Sequence, residues 1–284
     1  MSAISIIARL TFREAIRRRI MLAGLVLGIA FVILFTIGTH FIFGQIQADT
    51  AANLPSQMAA NIMYAEATNT FMMMGLYAAT FLSVAMAALL GADTLAGEIT
   101  SGTIQTIATK PIRRADVVLG KWLGFAELLG LYVLLLAGGI ALSVFVRTGY
   151  TPQNLWLGLG LIYTESILIM TITLTLSAAF PALATGGIVF GLYGLAFIGG
   201  WVEQFGALLQ NDTAIKVGII TSLIIPSESL WRRAAFEMQA PITGMFGSPF
   251  TTTSVPSPLM MGYTVLYLMV ILFIAVRIFE KRDL

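Results

Sequence analysis

Glu165 stands ten residues into the apolar run 155–178. On a helix rising 1.5 Å per residue, that places a carboxyl group ~15 Å deep in a hydrocarbon layer about 30 Å thick. A carboxylate at that depth costs a few kcal/mol (~2.5–3.5) on insertion scales, so it faces a bundle interior, is paired, or carries a proton. Thr164, Thr171 and Thr175 put hydroxyls on the same run. Two uses follow from the chemistry: a polar point on a substrate pathway (Glu165, Thr164, Thr171), or a hydrogen-bonded packing contact. Glu127, ~9 Å beyond Lys121 along a helix, reads as structural. Glu203 closes an apolar run and is expected to be solvated.

Other chemistries lack their groups. The chain has no cysteine and one histidine, His40, which removes disulfides, thiolate metal sites and cysteine nucleophiles. Met72, Met73 and Met74, with Met58, Met63 and His40, suggest a thioether and imidazole site for Cu(I). Consecutive methionines point in different directions on a helix, however, and methionine is an ordinary adaptable packer, so no metal is expected. Neither His-Glu-x-x-His nor Gly-x-Ser-x-Gly occurs, which leaves an intramembrane enzyme, for instance one acting on lipids, without convergent catalytic groups. The Gly120-Lys121 pair is followed by Trp122, so no phosphate-binding loop is present and the chain is not expected to hydrolyse ATP itself.

The elements that would position Glu165 are membrane spans. Of 284 residues, 58% are apolar and only 11% charged, and the mean hydropathy is +0.90. That composition cannot build a water-facing surface. The expected fold class is therefore an all-α polytopic membrane protein with six spans, at 20–43, 71–92, 123–145, 155–178, 184–205 and 259–278. A seventh apolar piece, 215–225, is too short before Pro226 to cross and reads as re-entrant or interfacial. No leader cleaved after a small residue is expected, because the first apolar run starts only at Ile20.

Of sixteen Lys and Arg, twelve lie before the first span, between the second and third, or after the sixth. The positive-inside rule then places both termini and the loop 93–122 in the cytoplasm. Residues 1–19 are expected to form an amphipathic interfacial helix, with Arg9, Arg13 and Arg17 on one stripe opposite Ile4, Ile7, Ala8, Thr11 and Ala15, and Glu14 paired to Arg18. Its cations suit anionic headgroups, so membrane lipids are expected contacts. Within the outer segment 206–258, residues 227–238 read as a short helix capped by Ser227 or Ser229, with Trp231 and Phe236 available to the membrane surface.

Between the second and third spans lies the most informative stretch, Gly97 to Lys121. Thr103 to Thr109 suits a short helix stopped by Pro111. Lys and Arg there would serve topology alone, but topology does not require Gly-Thr or Pro at these spacings. At Glu98, Gly102-Thr103, Ile104, Ile107, Pro111, Arg114 and Gly120-Lys121 the sequence resembles the permeases of type-2 ATP-binding-cassette (ABC) exporters, including the subgroup linked to multicopper-enzyme maturation. The motif covers about 25 residues, and the six-span layout extends the likeness along the chain. Thr100 and Gln105 depart from it where acidic residues are frequent, as does Arg113 where Ser or Thr is.

The resemblance implies a cytoplasmic coupling helix within 98–114, seated in a groove of a separate ABC ATPase subunit that binds Mg-ATP. Glu98, Gly102, Thr103, Ile104, Ile107, Pro111 and Arg114 would shape that docking surface. It further implies a second permease subunit, identical or not, contacted by the first and fifth spans; Gly187, Gly191 and Gly194 give the fifth a small-residue face for this. The implied activity is export of a lipophilic or amphipathic substrate (drug, lipid or peptide) across a bacterial or archaeal cell membrane, with no nucleic acid partner. A membrane sensor or immunity protein that binds without transporting would share the coupling loop.

Overall fold

A computed structural model describes residues 2–53, 57–100, 113–239 and 254–281, with side chains described in these ranges except at 47–53, 57–60 and 98–100. Every regular element among them is helical: α1 (Ala3–Arg17), α2 (Arg19–Asn53), α3 (Gln57–Ala92), α4 (Thr94–Thr100), α5 (Arg114–Thr148), α6 (Leu155–Ser177), α7 (Ala182–Leu208), α8 (Asp212–Ile224), α9 (Ser227–Met238) and α10 (Pro258–Lys281). Six helical stretches, in α2, α3, α5, α6, α7 and α10, are long and apolar enough to cross a membrane. Helices are the open-chain solution there, because each backbone N–H and C=O must find its partner within the segment. Six crossings put the α3–α5 connection on the same side as α1, called here the near side. The α7–α10 connection lies on the far side.

The bundle is organised around α6, which packs against α3, α5, α7, α9 and α10. All residues from Glu165 to Thr175 are buried. By contrast, α2 and α10 turn Leu34, Phe41, Leu266 and Phe273 outward, as lipid-facing surfaces require. Hydroxyls inside spans mostly close on their own helix: Thr80 donates to the Leu76 carbonyl, Ser83 to Ala79 and Thr173 to Ile169. A few polar bonds cross between helices, where the tip of an aromatic ring reaches a backbone or a hydroxyl. Tyr132 donates to the Gly24 carbonyl at 3.0 Å and Tyr163 to Ala126 at 3.0 Å. Midway along α5, Leu134–Gly138 widens into a single π-turn.

The amphipathic first helix forms with the expected face. Ser2 caps it by accepting from the Ser5 N–H; Ala8, Thr11 and Ala15 are buried; and Arg18 reaches Glu14 at 2.7 Å. What seats it is the glycine pair on α5. A Cβ on Gly124 would lie 2.5 Å from the Ala8 carbonyl oxygen, and one on Gly120 would lie 2.6 Å from Ile7 Cβ. This close approach explains locally why glycine precedes Lys121. Gly124→Val is therefore expected to lift α1 from α5 at a cost of about 1–3 kcal/mol. A cysteine placed at Thr11 would then label with a water-soluble maleimide in the variant and stay protected in the parent.

On the far side, α8 folds back along α7 and is capped by Asn211, whose side chain accepts from the Thr213 and Ala214 N–H groups. The chain then bends by 109° into α9. The expected cap differs: Pro226 holds the N-cap position with no side-chain hydrogen bond, and Ser227 and Ser229 are both buried. Trp231 is only 4% exposed and its ring lies tilted against Tyr77 with centroids 4.8 Å apart, so it is a core residue and not a surface anchor. The reason is that α9 lies against α6, with Met238 filling the space above Gly158, so only Phe236 of the two aromatics is left exposed.

Candidate functional site

The near-side candidate begins where α4 continues α3 after a single break. Glu98 falls on α4, with its side chain outside the described residues, and Gly102, Thr103, Ile104, Ile107 and Pro111 lie outside them altogether. The described flanks are firmly held. Leu95 of α4, Val117 and Val118 of α5, Leu174 of α6, and Ala275 and Phe279 of α10 form one small apolar cluster. Arg114, the first residue of α5, donates from Nη1 to the Glu280 carbonyl at 2.9 Å. A cation there meets a carbonyl in the last described turn of α10, where the helix dipole is negative. The described flanks of the segment between Thr100 and Arg113 thus join α4, α5, α6 and α10.

The second candidate is a polar chain that runs from the far side into the bundle. At its mouth is a cavity of about 250 Å3 lined by Glu203, Ser222, Ser229, Arg232, Ser254 and Ser257 among others. Glu203 is buried, against the expectation of a solvated end of span. Arg232, 1% exposed, lies 2.6 Å from its Oε1, Arg232 Nη2 donates to its Oε2 at 2.9 Å, and Ser254 Oγ donates to Oε1 at 2.6 Å. Three elements are thus tied at one carboxylate: α7, α9 and the segment entering α10. Arg232 also donates to Ser222 on α8 at 3.3 Å.

Small residues make this possible. A Cβ on Gly218 would meet Glu203 Cβ at 2.3 Å, and one on Gly200 would meet Glu228 Cγ at 2.1 Å. Deeper in, Glu228 is buried and Glu165 is 0% exposed, and the two lie within Coulombic reach of one another. Aromatic residues surround them: Trp201 donates to the Tyr77 hydroxyl at 3.1 Å, and Tyr193 packs against Phe81.

Of the residues expected around Glu165, Thr164 donates back to the Gly160 carbonyl of its own helix. Thr171 donates to Ile167 and accepts from Trp122 Nε1 at 2.8 Å, joining α6 to α5. The side chains that the fold brings towards Glu165 are instead Glu228, Tyr77 and Tyr193. The signal for these in the sequence was faint: Glu228 and Arg232 at i and i+4 between two prolines, in a segment that otherwise needs no ion pair. On α7, Gly187 and Gly191 are exposed and Gly194 half-buried, and an added Cβ would meet nothing within 4 Å at any of them. Among the described residues no group of acidic or histidine side chains could hold a metal ion.

Residues 5–284 match the family model described as ABC-2 family transporter protein. The protein named "Probable ABC transporter permease protein NosY" from Pseudomonas aeruginosa is 32% identical over 108 residues, which is 38% of this chain and 39% of that protein. The protein of the same name from Stutzerimonas stutzeri is 39% identical over 66 residues, 23% of this chain and 24% of the relative. The chain thus matches well under half the length of these relatives.

Proposed function

We propose, from the premise that the chain belongs to the ABC-2 family of transporter proteins and is a membrane-spanning permease subunit of an ABC transporter, that it exports a lipophilic or amphipathic substrate. The energy comes from Mg-ATP bound on a partner ATPase subunit. The carrying observation is the family match over nearly the whole chain, together with six helices able to span a membrane. Both termini and the 98–114 segment face the cytoplasm, in keeping with the distribution of Lys and Arg.

In this reading Glu98, Gly102, Thr103, Ile104, Ile107, Pro111 and Arg114 form the docking surface for the ATPase. The tightly held flanks of that segment support it, since a push on a loosely anchored loop would be dissipated. A second permease subunit packs along the open glycine face of α7 at Gly187, Gly191 and Gly194, where none of the described residues comes within 4 Å of an added Cβ. Glu165, Thr164 and Thr171 stand beside the pathway between the subunits. Among the substrate classes, a drug, lipid or peptide each suits the apolar walls.

Coexpression with a cognate ATPase is the test. The expected result is a stable complex whose ATP hydrolysis is coupled to vesicle transport, and a Thr103→Arg or Glu98→Ala change that abolishes stimulation while the permease still folds. Normal stimulation in both variants, or full transport without any ATPase, would sink the docking assignment. Hydrolysis that responds to the permease with no transport would favour the sensor alternative.

A further inference from the structure

The polar chain on the far side contains three carboxyl groups for one guanidinium. Starting from the cavity, Glu203 comes first and is ion-paired to Arg232. Glu228 follows, one residue before the lining residue Ser229, and its Oε2 has no hydrogen-bond partner among the described residues. Glu165 is last, and neither of its oxygens has a hydrogen-bond partner among the described residues. From the elements packed around α6, the titratable groups facing Glu165 are Glu228 of α9, Tyr77 of α3 and Tyr193 of α7. Glu228 in turn faces Arg232 and Glu203. Glu127 of α5 and Tyr267 of α10 belong to other sets, coupled to Tyr163 and Tyr263.

Arg232 is bonded to Glu203 and reaches Glu228 through space, while no cation faces Glu165 among the described residues. Two ionised carboxylates sharing a desolvated pocket with unfilled oxygens would suffer both mutual repulsion and lost hydration. Glutamic acid in its neutral form removes the repulsion and reduces the hydration cost to that of a neutral polar group. Neither oxygen of Glu165 closes a hydrogen bond between helices among the described residues, so a packing bond does not account for its carboxyl group.

We propose that Glu165 and Glu228 form a proton-binding site inside the membrane, loaded and emptied through the serine-lined cavity on the far side. Loading breaks one O–H bond of a hydronium ion in the cavity and forms one on a carboxylate, leaving water behind; release reverses the transfer, and no other bond changes. Glu228 rides on α9, which meets α7 at the Gly200 contact, so separation of these two helices wets Glu228 first and lets the proton leave towards the far side. The site does not depend on the transport reading, because it needs no ATPase.

The test is infrared difference spectroscopy on the whole purified chain in phosphatidylcholine vesicles. Solvated carboxylates titrate near pH ~4 and are ionised at neutral pH, so a protonated-carboxyl C=O band there reports a protected group. We expect such a band in the parent, its loss in strongly alkaline buffer, its loss in Glu165→Gln and a shift in Glu228→Gln. Glutamine keeps the shape, and an unchanged melting temperature would show that the fold survives. Filling the cavity with Ser229→Trp should slow the deuterium shift of the band after transfer to D2O. The proposal is overturned if no band exists at neutral pH, if the band survives both glutamine variants, or if Ser229→Trp leaves the exchange rate unchanged in a folded protein.

Discussion

Replacing Arg232 with alanine is expected to destabilise the protein by about 3–5 kcal/mol, the usual result of leaving a buried partner charge uncompensated. Glu203 would keep one hydroxyl donor, Ser254, and lose both of its contacts to the guanidinium. Thermal unfolding in detergent would read the loss as a lower midpoint. The double variant Arg232→Met with Glu203→Gln should recover most of it, since a packed neutral pair avoids the desolvation cost. A single-variant effect within about 0.5 kcal/mol, as at ordinary surface sites, would mean that the pair is hydrated and not a buried tie between α7 and α9.

The second large effect is expected at Gly218. A side chain there would meet Glu203 Cβ at 2.3 Å and the Gly199 carbonyl oxygen at 2.8 Å. These are atoms of the α7 backbone and its first side-chain carbon, which cannot rotate away. Gly218→Val must therefore push α8 off α7, at about 1–3 kcal/mol for overpacking. Because α8 also carries Ser222, which accepts from Arg232, the shift loosens the ion-pair cage as well. A cysteine at Ser222, buried in the parent, should become reactive to a water-soluble maleimide in the Gly218→Val background. Unchanged protection would show that α8 tolerates the side chain and that the glycine does not set the helix spacing.

The two variants probe the same far-side assembly from opposite ends. One removes its charge and the other its close packing. Arg232 and Glu203 are 29 positions apart, so their pairing depends on the bend between α8 and α9 bringing the chain back over the end of α7. The apolar cluster of Leu95, Val118, Leu174 and Phe279 joins α4, α5 and α10 to α6, and α6 also carries Glu165.

What the sequence determined by itself is the number of crossings, the helical class and the family. An apolar run of some 20 residues has one stable fate in a bilayer, a helix, because only a helix satisfies its own backbone. The spacing of Glu98, Gly102-Thr103, Pro111 and Arg114 carried the family, since those residue types are not demanded by burial or topology. The buried face of α1 was legible too, because its periodicity is local. Tertiary structure alone decided that Glu203 is buried, that Trp231 is core, and that Glu165 meets Glu228 and not the hydroxyls of Thr164 and Thr171. Each of these depends on a partner from a distant helix and on glycines thin enough to let the helices approach, and hydropathy along one strand of chain encodes neither.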